Sequence, residues 1–205
     1  MNPAARCHNL RVDARIVKTR RRLQEALFAL ARERGVDEVS VSDIAARAGV
    51  NRSTFYQHYS DKETLLADAL DLFAEEAGAS LGTIEFGSDE PPEALVVYLR
   101  HIEENADLYA RVFTEPGYGA VLSRLRANAR DAIRDLAPVA EPIVPRSVPV
   151  DVVAAGITGL VLGVIGEWLT MAERPRADDA ATWIWRIVAG FPSARAGNAP
   201  ETPAG

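Results

Sequence analysis

The sequence has almost no cysteine and no apolar segment near its start. Cys7 is the single cysteine among 205 residues, so no intrachain disulfide can form, which fits a reducing compartment. The first residues are polar and arginine-rich and lack the apolar core of a secretory signal peptide. Together these absences predict a cytoplasmic protein.

Motifs of catalytic sites are also missing. The sequence has no G-x-S-x-G nucleophile turn, no glycine-rich phosphate loop and no H-E-x-x-H pair. The three histidines, His8, His58 and His101, are too scattered for a local metal signature. The sequence therefore predicts no enzyme, no metal site and no cofactor.

Strand-like alternation is absent, whereas helical periodicity recurs along the chain. We predict an all-α protein in which a three-helix head is joined by a long helix to a C-terminal helical body. The predicted divisions are a flexible leader at 1–14, the head at 15–62, the body at 63–191 and a disordered tail at 192–205. The predicted helices lie at about 15–34, 60–79, 92–113, 119–136, 151–172 and 178–191, besides two short ones in the head. A glycine- and proline-containing loop at 78–92 and a proline-rich connection at 138–149 separate some of them.

Charge is divided unevenly along the chain. Residues 1–62 hold 12 Lys and Arg against 7 Asp and Glu, whereas the remainder holds 11 against 22. The net charge of −6 thus hides a basic N-terminal part on an acidic body. This division is typical of a protein that touches a nucleic acid with one end only.

Residues 40–62 predict two short helices joined by a glycine turn. Ser40 with Asp43 forms a capping box at the start of the first, and Gly49 can close it in the left-handed conformation. Asn51 is an N-cap for the second helix. Ser60 with Glu63 predicts another capping box, which places Lys62 in the first turn of the long helix, beside free N–H groups that could bind a phosphate.

The second short helix has two different faces. Phe55 and Tyr59 share one that suits a core, while the other is polar and suits a DNA groove. Arg52 can pair with guanine or phosphate, and Gln57 can read adenine. The alternative is that this face is merely solvated, and that Tyr56 and His58 are ordinary, partly buried side chains.

These residues resemble the TetR-type family of bacterial transcriptional regulators. The resemblance covers residues 15–75, and Gln57 and Ser40 depart slightly from the usual family pattern. It is carried by the basic first helix from Lys18 to Arg34, Gly35, Ser40, Ile44-Ala45, Gly49-Val50, Phe55-Tyr56, His58-Tyr59 and Lys62. It implies a dimeric repressor that binds double-stranded DNA at a palindromic operator and is released by an effector of unknown identity. The residues implied to face DNA are Ser42, Arg52, Ser53, Thr54, Tyr56, Gln57, His58 and Lys62.

A glycine stripe predicts where two copies meet. Gly156, Gly159, Gly163 and Gly166 follow one another at spacings of three, four and three, so they share one helical face. TetR-type proteins dimerise through their last two helices, which implies a homodimer interface here that includes Trp183. A contact within the chain is the alternative. The uncharged run 152–166 falls short of the roughly twenty residues that span a bilayer, so no membrane segment is predicted.

Aromatic residues in the acidic body are candidates for an effector pocket. Tyr98, His101, Tyr109 and Phe113 could line it, although aromatics at helical spacing are more often part of a core. A different function remains open at this point: an all-helical adaptor that binds another protein and does not recognise a DNA sequence. Such an adaptor would not need Arg52, Tyr56 or Lys62.

Overall fold

The computed structural model describes residues 3–80, 90–136 and 148–193, and for 3–13, 75–80 and 190–193 it describes the backbone only. These ranges contain α-helices, one short 3-10 turn at Pro116–Tyr118 and no strand, so the predicted all-α class is confirmed. The helices are α1 (Pro3–Arg34), α2 (Val41–Arg47), α3 (Arg52–His58), α4 (Lys62–Ser80), α5 (Glu93–Glu104), α6 (Ala106–Thr114), α7 (Gly119–Leu136), α8 (Val150–Thr170) and α9 (Ala177–Ser193).

The first helix is longer than predicted. It begins at Pro3 and takes in most of the segment expected to be a separate leader at 1–14. Proline is tolerated in the first turn of a helix, and no glycine or proline interrupts the chain between Pro3 and Gly35. The polar composition of this segment therefore did not prevent a helix, because no residue in it stops one.

The predicted helix at 92–113 is wrong as a single element, because it divides at Asn105 into α5 and α6. The Asn105 side-chain amide donates to the carbonyl of His101 at 2.8 Å, four residues back. An asparagine side chain can thereby compete with the backbone bonds that would continue the helix. Asn105 leaves helical geometry, with φ −122° and ψ 30°, and α6 begins at the next residue.

The start of α4 also differs from the prediction. Asp61, not Ser60, accepts the backbone N–H of Thr64 at 2.6 Å, so the cap lies one residue later and Lys62 is the first helical residue. The other predicted helices are found to within two or three residues. The predicted loop at 78–92, the connection at 138–149 and the tail at 192–205 lie largely outside the described residues.

Head and body share one hydrophobic core. A continuous cluster of buried residues runs from Leu23 and Leu27 on α1, through Leu66 on α4, to Leu99 on α5 and Trp168 on α8. Helix α4 packs on α1 at its start and on α5 and α7 further along, so it is the structural link between the two parts. Any displacement of α4 is therefore transmitted to both.

Helix α8 is the most apolar element of the body. By length and composition alone its 21 residues could cross a membrane. The sequence estimate of a shorter apolar segment counted only the uncharged residues 152–166, whereas the helix also includes Asp151 and Glu167 near its ends. However, 33% of the window is buried inside the protein, including Ala154, Leu162 and Ile165. One side of α8 thus belongs to the core, and its other side is exposed.

Candidate nucleic-acid interface

The turn between α2 and α3 is built as the sequence predicts. Ser40 caps α2: its hydroxyl accepts the N–H of Asp43 at 3.2 Å, and the Asp43 carboxylate accepts the Ser40 backbone N–H at 3.0 Å. Gly49 has φ +65°, the left-handed conformation that favours glycine. Asn51 then caps α3. The chain is redirected within three residues, and α3 is held at a fixed angle to α2.

Asn51 also organises the first turn of α3. Its side-chain oxygen accepts three bonds: from the backbone N–H of Thr54 at 2.7 Å, from the Thr54 hydroxyl at 2.9 Å and from the Ser53 hydroxyl at 2.7 Å. Both hydroxyl groups are therefore oriented before any ligand arrives. They can still accept or exchange these bonds, because a hydroxyl has further lone pairs.

Helix α3 presents one face to the core and one to solvent. Phe55 is fully buried and Tyr59, just after the helix, is 3% exposed, whereas the Tyr56 side chain on the opposite face is 51% exposed. The Arg52 guanidinium lies 5.9 Å from the centre of the Tyr56 ring, with its Nη2 3.4 Å from the Tyr56 hydroxyl. Arg52, Ser53, Tyr56 and Gln57 are exposed, Thr54 and His58 are half-buried, and Ser42 is exposed on α2.

A basic cleft lies between α3 and the middle of α1. Its volume is about 1260 Å³. Of the predicted DNA-facing residues, Thr54, Gln57 and His58 line it, while Arg52, Ser53 and Tyr56 lie outside its lining. Helix α1 contributes Arg15, Ile16, Lys18, Thr19, Arg20 and Arg22, which are completed by Gly49, Val50 and Asn51. The sequence prediction did not name the four cations of α1 as site residues. The clustering of these cations over residues 15–22 was the sequence feature that could have identified them as part of the site.

Lys62 lies in the first turn of α4, as predicted, and makes a contact within the head that the sequence did not predict. Its ammonium group donates to the backbone carbonyl of Val36 at 2.8 Å, and its side chain is half-buried. The bond ties the start of α4 to the segment after α1. Lys62 does not line the basic cleft. In this structure it serves the packing of the head, although an ammonium group has two further N–H donors.

Ion pairs hold α2 on the end of α1. The Arg47 guanidinium donates to both oxygens of Glu33, at 2.8 and 2.6 Å. Arg34 Nη2 lies 2.8 Å from Asp43 Oδ2. Hydrogen bonds from the Ser40 hydroxyl and backbone N–H, with the Arg34 guanidinium, lower the pKa of Asp43 to about 2. The carboxylate that caps α2 therefore stays ionised at neutral pH.

The four aromatic candidates of the body lie at the junction with the head. The His101 ring stacks on Phe73 of α4 with 3.6 Å between centroids, and it meets Phe28 of α1 and Tyr109 of α6 edge to face. Burial and the charge of Arg32 lower the pKa of His101 to about 4. His101 Nε2 and the Tyr109 hydroxyl are buried and make no hydrogen bond within the described residues.

Tyr98 and Phe113 occupy the margins of this aromatic group. Tyr98 is half-buried against the core, and both burial and the Asp71 carboxylate raise its pKa. Phe113 lies on α6, where its ring approaches Gly166 of α8: a β-carbon added at Gly166 would lie 3.1 Å from Phe113 Cδ1. Phe113 thus fills the space that the small residue leaves.

The glycine stripe of α8 is mostly open. Positions 156, 159 and 163 have no atom within 4 Å of an added β-carbon, whereas Gly166 faces Phe113 of the same chain. Gly166 is therefore used at least in part for packing within the chain, which was the alternative reading. Val150 and Val152 of α8 and Ile187 of α9 are also exposed apolar residues. Trp183 is half-buried against the core.

Across the described ranges no group of three or more His, Cys, Asp or Glu side chains could hold a metal ion.

Known proteins share both the head and the fold. Residues 23–69 match the family described as bacterial regulatory proteins, tetR family. Over 65 residues the chain is 40% identical to the uncharacterized HTH-type transcriptional regulator YxbF of Bacillus subtilis (strain 168), a match that covers 31% of this chain and 17% of that protein.

Similar folds extend over the body as well. The structure of Thermus thermophilus FadR, a TetR-family transcriptional repressor in complex with lauroyl-CoA, is 22% identical, covers 91% of this chain and 100% of its own, and has a TM-score of 0.59. The structure of RolR in complex with resorcinol is 23% identical, covers 92% of this chain and 98% of its own, and has a TM-score of 0.53. At these identities the likeness shows the fold alone.

Proposed function

We propose that this chain is a cytoplasmic repressor. The proposal starts from its identification as a TetR-family transcriptional regulator with a helix-turn-helix DNA-binding domain. As a homodimer it binds a palindromic operator and is released by a small effector. Proteins of this family and fold are regulators and not enzymes. One observation carries the DNA-binding part of the proposal: the capped helix α3 shares a basic cleft with four cations of α1.

Two sets of residues can contact DNA, one on α3 and one on α1. Arg52, Tyr56 and Gln57 are exposed on the outer side of α3, where they can reach base edges and phosphates in a major groove. The cations of α1 can neutralise phosphates of the same half-site, a contribution that is independent of sequence and sensitive to salt. The excess of acidic residues belongs to the body and not to the head, so we expect it to lie away from the DNA.

Selection from a random duplex library tests this proposal. We expect the purified protein to enrich an inverted repeat, because a dimer presents two α3 helices to successive major grooves. Tyr56→Ala should lose the enrichment, since Tyr56 is exposed and its loss leaves the core intact. Glu104→Ala, on the exposed surface of α5, is the control. No enrichment by a folded dimer would favour the protein-binding adaptor.

The open part of the glycine stripe supports the dimer. Gly159 and Gly163 lie on an exposed, apolar helix face, and such a face in an oligomer is normally covered by its symmetry mate. Gly159→Arg points into open space in one chain, so it should fold and yet sediment as a monomer. Arg126→Gln on α7 is the control. A dimer that survives Gly159→Arg would contradict this interface.

The aromatic group around His101 supports an effector site. A ligand there meets the rings of Phe73, Tyr98 and Tyr109, and can hydrogen-bond the unpaired His101 Nε2 and Tyr109 hydroxyl. Because His101 is neutral at physiological pH and the nearby Arg32 is already paired with Asn105, the site suits an uncharged aromatic molecule that carries hydroxyl groups. Such a ligand would act on DNA binding by shifting α4, against which His101 stacks.

Resorcinol is a suitable first probe, since it has this chemistry. We expect it to raise the melting temperature of the wild-type protein and to weaken its binding to the selected duplex. Tyr109→Phe should reduce both effects and leave duplex affinity without resorcinol unchanged. If resorcinol leaves melting temperature and duplex affinity unchanged, this class of effector is wrong, whereas the DNA-binding proposal stands on the selection experiment.

A further inference from the structure

Two acidic side chains of α4 lie one helical turn apart and face arginines from two other helices. The side chains of Asp68 and Asp71 are only 13% and 5% exposed. Arg20 reaches Asp68 from α1 in the head, and Arg124 reaches both carboxylates from α7 in the body. Buried carboxylates require such partners, since an unpaired buried charge is strongly unfavourable.

The two arginines meet at a single oxygen atom. Arg20 Nη2 pairs with Asp68 Oδ1. Arg124 Nη2 lies 3.8 Å from the same Oδ1, while its Nε pairs with Asp71. The second oxygen of Asp68 is already occupied, because it accepts the Tyr59 hydroxyl at 2.5 Å and the amide of Gln24 at 2.8 Å. If either arginine moves away from Asp68 Oδ1, the other can therefore pair with that oxygen more closely.

Arg20 has a second environment on its other side. It lines the basic cleft, and its side chain is 45% exposed. Its Nε donates to the Tyr59 hydroxyl at 3.2 Å, which leaves further N–H groups on the guanidinium. Arg20 is thus placed between an interior carboxylate and the cleft where a phosphate of bound DNA is expected.

We propose that Arg20 is a DNA-phosphate ligand and that Asp68 and Arg124 set its availability. Asp68 retains Arg20 in the free protein. When Arg20 turns to a phosphate, Arg124 moves onto Asp68 Oδ1 and keeps that carboxylate paired. Asp68 and Arg124 are positioning residues, since neither lines the cleft. This inference rests on the DNA-binding function proposed above.

The exchange also connects the body to the DNA. Helix α7, which carries Arg124, packs along α4, which carries Asp68. A shift of α7 that draws Arg124 away from Asp68 leaves Arg20 as the partner of that carboxylate, and the protein then loses a phosphate contact. Small displacements in the body can therefore change DNA affinity without any change in α3.

The contact of Arg20 is tested through the salt dependence of binding. Affinity for a duplex selected by the wild-type protein is measured by fluorescence anisotropy at several salt concentrations. Arg20→Gln should weaken binding and lower the slope of log affinity against log salt by about one, the value for one lost phosphate contact. Arg21→Gln, whose side chain pairs with Glu25 outside the cleft, is the control and should keep the slope. An unchanged slope in Arg20→Gln would overturn the proposal.

The exchange itself is tested by a double-mutant cycle. Arg124→Gln should weaken duplex binding by about tenfold, because Asp68 then retains Arg20. Asp68→Asn should strengthen binding, because Arg20 is released from a full negative charge. In the Asp68→Asn background, Arg124→Gln should have almost no further effect. Arg126→Gln, two residues along α7, should bind like the wild type.

Two other results would contradict the exchange. If Arg124→Gln weakens binding equally with and without Asp68→Asn, Arg124 acts through Asp71 or through folding, and the proposal is wrong. Thermal unfolding of each variant shows which are folded, and if Arg124→Gln is not, Arg124→Lys replaces it with a smaller effect of the same sign. A wild-type protein that binds no selected duplex would instead overturn the proposed DNA-binding function.

Discussion

The guanidinium of Arg32, near the end of α1, donates to the side-chain oxygen of Asn105 at 3.0 Å. This bond joins the head to the point where α5 gives way to α6. Asn105 is 3% exposed and donates in turn to the carbonyl of His101, the residue that stacks on α4. The head is thus bonded to the segment that also forms the aromatic group of the body.

Replacement of Asn105 by alanine should destabilise the whole protein. The change removes bonds to Arg32 and to the His101 carbonyl, and a buried polar group that loses its partner costs about 1–3 kcal/mol. Chemical denaturation measures the loss in free energy of unfolding. Glu104→Ala, one residue earlier and exposed, is the control, and an equal loss there would show that Asn105 has no special role.

Gly49→Ala should impair DNA binding more than it impairs stability. The positive φ of Gly49 makes alanine unfavourable by about 1–2 kcal/mol, and the added β-carbon would lie 2.6 Å from Arg22 Nη2 in the basic cleft. Gly35→Ala is a matched control, because Gly35 has φ +81° and open space around it. The two variants should lose similar unfolding free energy, and Gly49→Ala alone should lose additional duplex affinity. Equal affinities would show that the Arg22 position is unimportant.

The Asp43 cap predicts a specific pH dependence. Its pKa is about 2 in the folded protein, below the ordinary value near 3.8, so the ionised cap stabilises the fold above pH 4. This stabilisation is lost as pH falls from about 4 towards 2, when the folded state must also take up the proton. Unfolding free energy measured against pH should therefore fall less steeply for Asp43→Asn than for the wild type in that window. If unfolding free energy falls equally steeply with pH in both proteins, Asp43 is not the source of the pH dependence.

Lys62→Gln should separate the two roles considered for Lys62. The bond from its ammonium to the Val36 carbonyl fastens α4 to the end of α1, and a charged hydrogen bond of this kind contributes about 1.5–3 kcal/mol. Thermal unfolding should therefore show a lower melting temperature for Lys62→Gln, whereas Tyr56→Ala should melt like the wild type. If Lys62→Gln keeps its stability and loses only salt-dependent DNA binding, Lys62 is a phosphate ligand as the sequence first predicted.

The local structure of the head could be predicted because it depends on neighbouring residues. The Ser40 box, the Gly49 turn and the Asn51 cap each require only bonds between residues a few positions apart. Phe55 and Tyr59 were correctly assigned to the core by helical spacing alone. The caps of α2 and α3 are therefore confirmed, together with the core-facing side of α3.

Features that depend on distant residues were missed. The helix break at Asn105 was missed although its bond to the His101 carbonyl is local, and the bond that Arg32 adds comes from 73 positions earlier in the chain. The bond from Lys62 to the Val36 carbonyl has no sequence signature either, whereas the role of Lys62 at DNA stays a prediction. The basic cluster of the first helix was visible in the sequence, but which of its cations line a cleft with α3 follows only from the packing of α1 beside α3.

The shared core has a consequence for how such proteins can be recombined. The predicted boundary after residue 62 falls at the first residue of α4, yet Leu65 and Leu66 just beyond it are fully buried in the same cluster as Leu27 and Leu99. A hybrid joined at that boundary would place a foreign α4 against this α1 and lose the pairing of Arg20 with Asp68. We therefore expect the proposed DNA specificity to be transplanted either as surface substitutions on α3 or together with the whole of α4, but not as the head alone.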